Sequence, residues 1–163
     1  MVTRQRDFIN LIRKHEGIIY KITRVYVDRE EDQQDLYQEI VYQLWKSFDS
    51  FRSDAKWSTW MYRVALNTAI SFLKRDKSKL KKVSSEHLDN FKMEPFDPVM
   101  EERIEWLYKS IQKLSVVEKG IILLYLEGKS HEEISNITGF TTSNVGTRIS
   151  RIKEKLKRQI SNS

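Results

Sequence analysis

Apolar residues recur at three- and four-residue steps through most of this chain, the spacing that lines one face of a helix. Phe8, Leu11, Ile12, Ile18, Ile19, Ile22 and Val25 predict a first helix over residues 4–27, with Gly17 a weak point inside it. A second is expected over 28–48, where Leu36, Ile40, Leu44 and Phe48 step by four beside Tyr37, Val41 and Trp45. A third begins near Lys56 and ends near Arg75. It gathers Trp57, Trp60, Met61, Val64, Thr68 and Phe72 on one side, and Arg63, Asn67, Ser71, Lys74 and Arg75 in a narrow polar ridge on another. The stretch 49–55 between them reads as a polar turn holding Phe51 and Arg52. Periodicity lapses from Val83 to Pro98, where both prolines fall, and resumes over 99–114 through Met100, Ile104, Leu107 and Ile111.

The last third has the clearest local grammar. Val116–Leu126 is an apolar helix closed at Gly128. Ser130-His-Glu-Glu133 has the spacing of a capping box, in which the Ser hydroxyl takes a free amide and Glu133 reaches back. Ile134 and Ile137 are expected to point inward, and Gly139 to supply a left-handed turn. Thr141 can cap a final helix whose buried stripe is Val145, Ile149, Ile152 and Leu156. Two helices joined by a Gly turn, the second long and basic, describe a helix-turn-helix. Thr142, Ser143, Asn144, Thr147, Arg148, Ser150 and Arg151 lie off that stripe and are its candidates for base and phosphate contact. The fold class is therefore all-α: an N-terminal helical bundle, residues 1–80, and a helix-turn-helix domain, 99–163, joined by a flexible linker, 81–98.

Composition agrees and adds a partner. Only five Gly and two Pro in 163 residues favour continuous helix. A formal net charge of +6 points to an acidic partner such as nucleic acid or a membrane surface. Residues 74–82, KRDKSKLKK, hold six basic residues of nine, enough to make binding to a single strand steeply salt-dependent. Cysteine is absent, so disulfides and thiolate-held metals are excluded. The N-terminus lacks a signal peptide's apolar run and no stretch reaches the length of a membrane span, so a cytoplasmic protein is expected.

The third helix carries the informative chemistry. Its ridge offers amide, hydroxyl and guanidinium groups to a polyanion, and nearby aromatic rings can stack unpaired bases at about 1–3 kcal/mol each. For the rings alone, burial is the preferred reading. The second helix opens with Asp28, Glu30, Glu31, Asp32, Asp35 and Glu39. These acids either complement the helix dipole or form a patch for a basic protein surface, and the residues alone leave both readings open. Catalysis finds no constellation. Asp32, Asp35 and Glu39 share one helix with no second acidic cluster to complete a metal site, and His15, His87 and His131 are scattered. No metal, cofactor or small-molecule substrate is expected.

Taken together, the chain resembles a bacterial RNA polymerase sigma factor of the small, two-domain extracytoplasmic-function (ECF) type within the sigma-70 family. Asp35-Leu-Tyr-Gln-Glu39 with Trp45, and Thr59-Trp-Met-Tyr-Arg-Val-Ala-Leu-Asn67, look like the family's second region. Leu126-Glu-Gly-Lys-Ser-His-Glu-Glu-Ile134 and Asn144-Val-Gly-Thr-Arg-Ile-Ser-Arg151 look like its fourth. The resemblance implies a binding protein, not an enzyme, that engages core RNA polymerase and promoter DNA. Asp35, Gln38, Glu39 and Trp45 would dock on polymerase. Phe51, Arg52, Lys56, Trp60, Arg63, Asn67, Ser71, Lys74 and Arg75 would hold the melted minus-ten strand, Asn67 reading a base and 51–56 shaping a pocket for an extruded one. The final helix would read the minus-thirty-five duplex. An anti-sigma factor is a further partner implied by the resemblance, though no residue points to one. Ser71 stands where many members carry Asp, and Gly146 where many carry Lys or Arg, which removes one cationic contact. The competing expectation is a duplex-binding regulator that uses only the helix-turn-helix, its N-terminal half serving as a sensing domain.

Overall fold

A computed structural model describes residues 2–51, 57–75 and 98–161. Among these residues there are seven α-helices, one 3-10 turn and no strand. They fall into two units, one within residues 1–88 and the other within 89–163. Arg52 and Lys56, most of the basic run 74–82, and the linker 81–98 apart from Pro98 lie outside the described residues.

The front unit packs α1 (Val2–Tyr26), α2 (Glu30–Ser47) and α3 (Trp57–Arg75) against one another. Helix α1 runs unbroken through Gly17, where a methyl group would meet nothing within 4 Å. Its inward stripe is Phe8, Ile19, Ile22 and Val25, all buried. Helix α2 starts without a side-chain cap, and Glu30, Glu31 and Asp32 in its first turn offset the exposed amides there. Gln33 ties the connection down, its side-chain amide donating to the Val27 carbonyl at 3.0 Å. Leu36, Ile40 and Leu44 are wholly buried between the neighbouring helices. A 3-10 turn, Phe48–Ser50, follows α2.

Helix α3 keeps part of its expected packing, with Met61, Thr68 and Phe72 buried. Its buried side is Met61, Tyr62, Ala65, Leu66, Thr68, Ala69 and Phe72, with Trp57, Trp60 and Val64 half-buried at the margin. The sequence pattern was weighted toward the largest rings. Close approach of two helices instead places the small Ala65 and Ala69 at the contact. Thr68 is tolerated inside because its hydroxyl donates to the Val64 carbonyl at 2.6 Å.

The rear unit contains α4 (Pro98–Gln112), α5 (Val116–Leu126), α6 (His131–Thr138) and α7 (Thr142–Ser161). Gly120 to Leu124 are all buried, which makes α5 the central helix, as its all-round apolar sequence requires. Ile111, Leu114, Ile134, Ile137, Val145, Ile149 and Ile152 complete the core, with Leu156 half-buried at its edge. The Ser130–Glu133 capping box forms as expected, and Gly139 takes the left-handed conformation with φ of 87°. A second box, Ser115 with Glu118, starts α5.

Glu118 also accepts a hydrogen bond from Lys155 at 2.7 Å, which joins α5 to α7. Burial alone would push the Glu118 carboxyl up, but hydrogen bonds from Lys155 and from Ser115 outweigh it and hold the group below the usual carboxylate range. A carboxyl depressed by folding stabilises above its unfolded pKa, and that contribution is lost as pH falls through the folded value. The thermal midpoint of the rear unit should therefore fall on acidification below the carboxylate range. Glu118→Gln should flatten that fall in a pH series of melting curves, and an unchanged pH profile would remove Glu118 from the account.

Candidate nucleic-acid interface

The ridge of α3 is exposed along its length: Arg63, Asn67, Ser71, Lys74 and Arg75 all face solvent. Beside it runs a groove of about 550 Å³. One wall comes from the α2 end of the unit through Glu39, Gln43, Lys46, Ser47 and Ser50, the other from α3 through Asn67, Ser71 and Arg75. Arg75 reaches across it to Glu39 at 3.5 Å, and the Gln43 amide donates to the same carboxylate at 3.2 Å. Glu39, expected with the polymerase-facing acids, also lines this groove across from the ridge. Glu39 is four residues from Asp35, so it keeps the side of α2 that carries Asp35 while its carboxylate reaches the groove. Asp35 and Gln38 are exposed, and Trp45 is half-buried.

Aromatic rings back the ridge at its N-terminal end. Phe51 lies 5.3 Å from Trp60 and 5.6 Å from Trp57, and the two tryptophan rings are 4.6 Å apart. All three are half-buried, so they support one another without being sealed into the core. The rings pack on one another and remain partly exposed.

In the rear unit Thr141 caps α7, its hydroxyl accepting from the Asn144 amide at 3.1 Å. Thr142, Ser143, Asn144, Thr147, Ser150 and Arg151 are exposed on the first turns of α7. Arg148 is half-buried and braced: its Nε donates to Asn144 Oδ1 at 2.6 Å, and its guanidinium lies 4.4 Å from the Phe140 ring centre. The sequence pattern missed this brace, although Asn and Arg four residues apart on a helix were the available signal. Gly146 is half-buried toward α6, where a methyl group would come to 3.4 Å from His131 Cε1. The position treated as a missing cationic contact thus lies against the preceding helix.

Residues 11–79 match the family described as Sigma-70 region 2, and residues 104–156 match Sigma-70, region 4. The chain belongs to the sigma-70 family. Among its relatives, RNA polymerase sigma factor SigV of Bacillus subtilis is 27% identical over 160 residues, spanning 93% of this chain and 90% of that protein. The ECF RNA polymerase sigma-E factor of Escherichia coli K12 is 26% identical over 171 residues, spanning 96% and 87%. Among solved structures, CnrH in complex with the cytosolic domain of CnrY has a TM-score of 0.72 at 20% identity, covering 98% of this chain and 90% of that one. The sigma factor RpoE from Bartonella quintana, solved with the anti-sigma factor NepR, has a TM-score of 0.70 at 18% identity, covering 96% and 98%. These two likenesses bear on the fold. This sigma factor is of the ECF type, and it directs promoter-specific transcription initiation by RNA polymerase. Its family is one of binding proteins. Among the described residues, no helix is long and apolar enough to cross a membrane, and no group of three or more acidic or histidine side chains is placed to hold a metal.

Proposed function

We propose that this sigma factor divides promoter recognition between its two units. The ridge of α3, Arg63, Asn67, Ser71, Lys74 and Arg75, holds the unpaired minus-ten strand together with Phe51, Trp60 and the intervening Arg52 and Lys56. The acidic face of α2, with Asp35, Gln38 and Glu39, docks with Trp45 on core polymerase. The exposed first turns of α7, Thr142 to Arg151, meet the minus-thirty-five duplex. The observation that carries this reading is the exposed ridge of amide, hydroxyl and cationic groups beside a groove, backed by rings with an open edge. A regulator that touches only duplex DNA has no use for that surface. Extruding a base costs a few kcal/mol, which stacking and a pocket can offset, so capture of exposed bases supplies melting without a catalytic step.

The same reading divides the chain into 1–80, a linker at 81–98, and 99–163. It places the protein in the cytoplasm, together with the RNA polymerase for which its relatives are named. It also includes an anti-sigma partner, supported by the similar RpoE structure, which was solved with the anti-sigma factor NepR.

The purified chain added to sigma-free core polymerase should yield promoter-specific transcripts. Asn67→Ala should then cut open-complex formation about tenfold, the scale of one lost base contact, while leaving affinity for core polymerase unchanged. Equal loss of both would overturn the assignment of the ridge.

A further inference from the structure

Phe51, the ring at the start of the proposed base pocket, follows a 3-10 turn of only three residues that contains no buried side chain and has no side-chain cap. Turns of this kind are weakly held by their own hydrogen bonds. Here the Phe51 amide donates to the Phe48 carbonyl at 3.3 Å and the Ser50 hydroxyl to the Ser47 carbonyl at 2.7 Å. The stronger hold comes from the far end of the unit. Arg4, in the first turns of α1, donates from Nε to Asp49 Oδ1 at 2.5 Å, within the turn itself. Its guanidinium also lies 4.1 Å from the centre of the Trp45 ring and 5.8 Å from that of Phe48. Phe8, one helical turn further along α1, packs edge-on against both of those rings at 5.0 and 5.3 Å. Phe48 in turn lies 6.4 Å from Trp60, which carries Phe51.

We infer that Arg4 is a positioning residue for single-strand capture: it fixes the Phe48–Ser50 turn and thereby sets where Phe51 stands. The inference rests on the reading of the front unit given above and extends it to α1, a helix with no other part in binding. Arg4 is a third exposed and Asp49 largely so. An exposed ion pair adds little to stability, so removing Arg4 should barely move the melting midpoint while it releases the turn. A stacked guanidinium is not reproduced by other cations, which makes the arrangement specific to Arg.

The test uses holoenzyme formed with saturating core polymerase, so that any effect on docking through Trp45 drops out. The probe is a fluorescent, sequence-randomised single strand of about 12 nucleotides. Arg4→Ala should weaken its binding about fivefold to tenfold, and Phe51→Ala by at least as much. The double variant should bind no more weakly than Phe51→Ala alone, because Arg4 acts through that ring. The salt dependence should stay as in the parent, because a residue acting through Phe51 contributes no phosphate contact of its own. Multiplicative losses in the double variant, a shallower salt slope for Arg4→Ala, or parental binding by Arg4→Ala while Phe51→Ala is weakened would each overturn the role of Arg4. Parental binding by Phe51→Ala would overturn the pocket reading as well.

Discussion

Leu44→Ala is expected to remove 2–5 kcal/mol from the stability of the front unit, the cost of emptying a buried leucine site that its neighbours cannot fill. Leu44 is wholly buried on α2, the helix that packs on both α1 and α3. Loss there is felt at two helix contacts at once. A small domain holds only about 5–15 kcal/mol in total, so one truncation consumes much of its margin. In urea titrations the front-unit midpoint should fall with an unchanged slope, since the surface exposed on unfolding is nearly the same. A loss below about 1 kcal/mol would mean that α2 is not the central helix of this unit.

Arg148→Ala is expected to weaken duplex binding more than Arg151→Ala, although both remove one positive charge. Arg151 is exposed, so its loss should cost one phosphate contact, reducing the salt slope by about one unit. Arg148 does more. Its Nε holds the Asn144 side chain, and its guanidinium stacks on Phe140, the residue that leads out of the turn after Gly139. Truncation frees Asn144 to sample other rotamers and strips the cation from the ring. A positioned amide reading a base edge is worth about 1–3 kcal/mol, so affinity should drop about tenfold to a hundredfold. Discrimination between sequences should drop with it, which a phosphate contact alone would not produce. Competition binding against unrelated duplex DNA separates the two effects. Equal behaviour of the two variants would deprive the Asn144–Arg148 brace of any role in reading sequence.

What the sequence made legible was local. The Ser130–Glu133 box, the Gly139 turn and the Thr141 cap all rest on residues within a few positions of one another, and each has the geometry its spacing implies. Ser115 and Glu118 follow the same rule at the start of the apolar α5. The ridge of α3 was legible because helical period alone sorts Arg63, Asn67, Ser71, Lys74 and Arg75 together. Its buried side was legible in part, through Met61, Thr68 and Phe72, whereas Ala65 and Ala69 carry no hydrophobic weight until a neighbouring helix arrives. Arg4 with Asp49, and Glu39 with Arg75, join residues far apart in the chain. No spacing rule reaches such pairs, because the packing of three helices decides them.

The packing of sequence neighbours on one another, α1 with α2 and α2 with α3, then α5 with α6 and α6 with α7, bears on how quickly the molecule becomes usable. Chains built from nearby contacts fold in roughly microseconds to milliseconds. Ribosomes add about 5–20 residues per second. Each bundle can therefore form as soon as its last helix emerges, and folding adds no appreciable delay to synthesis.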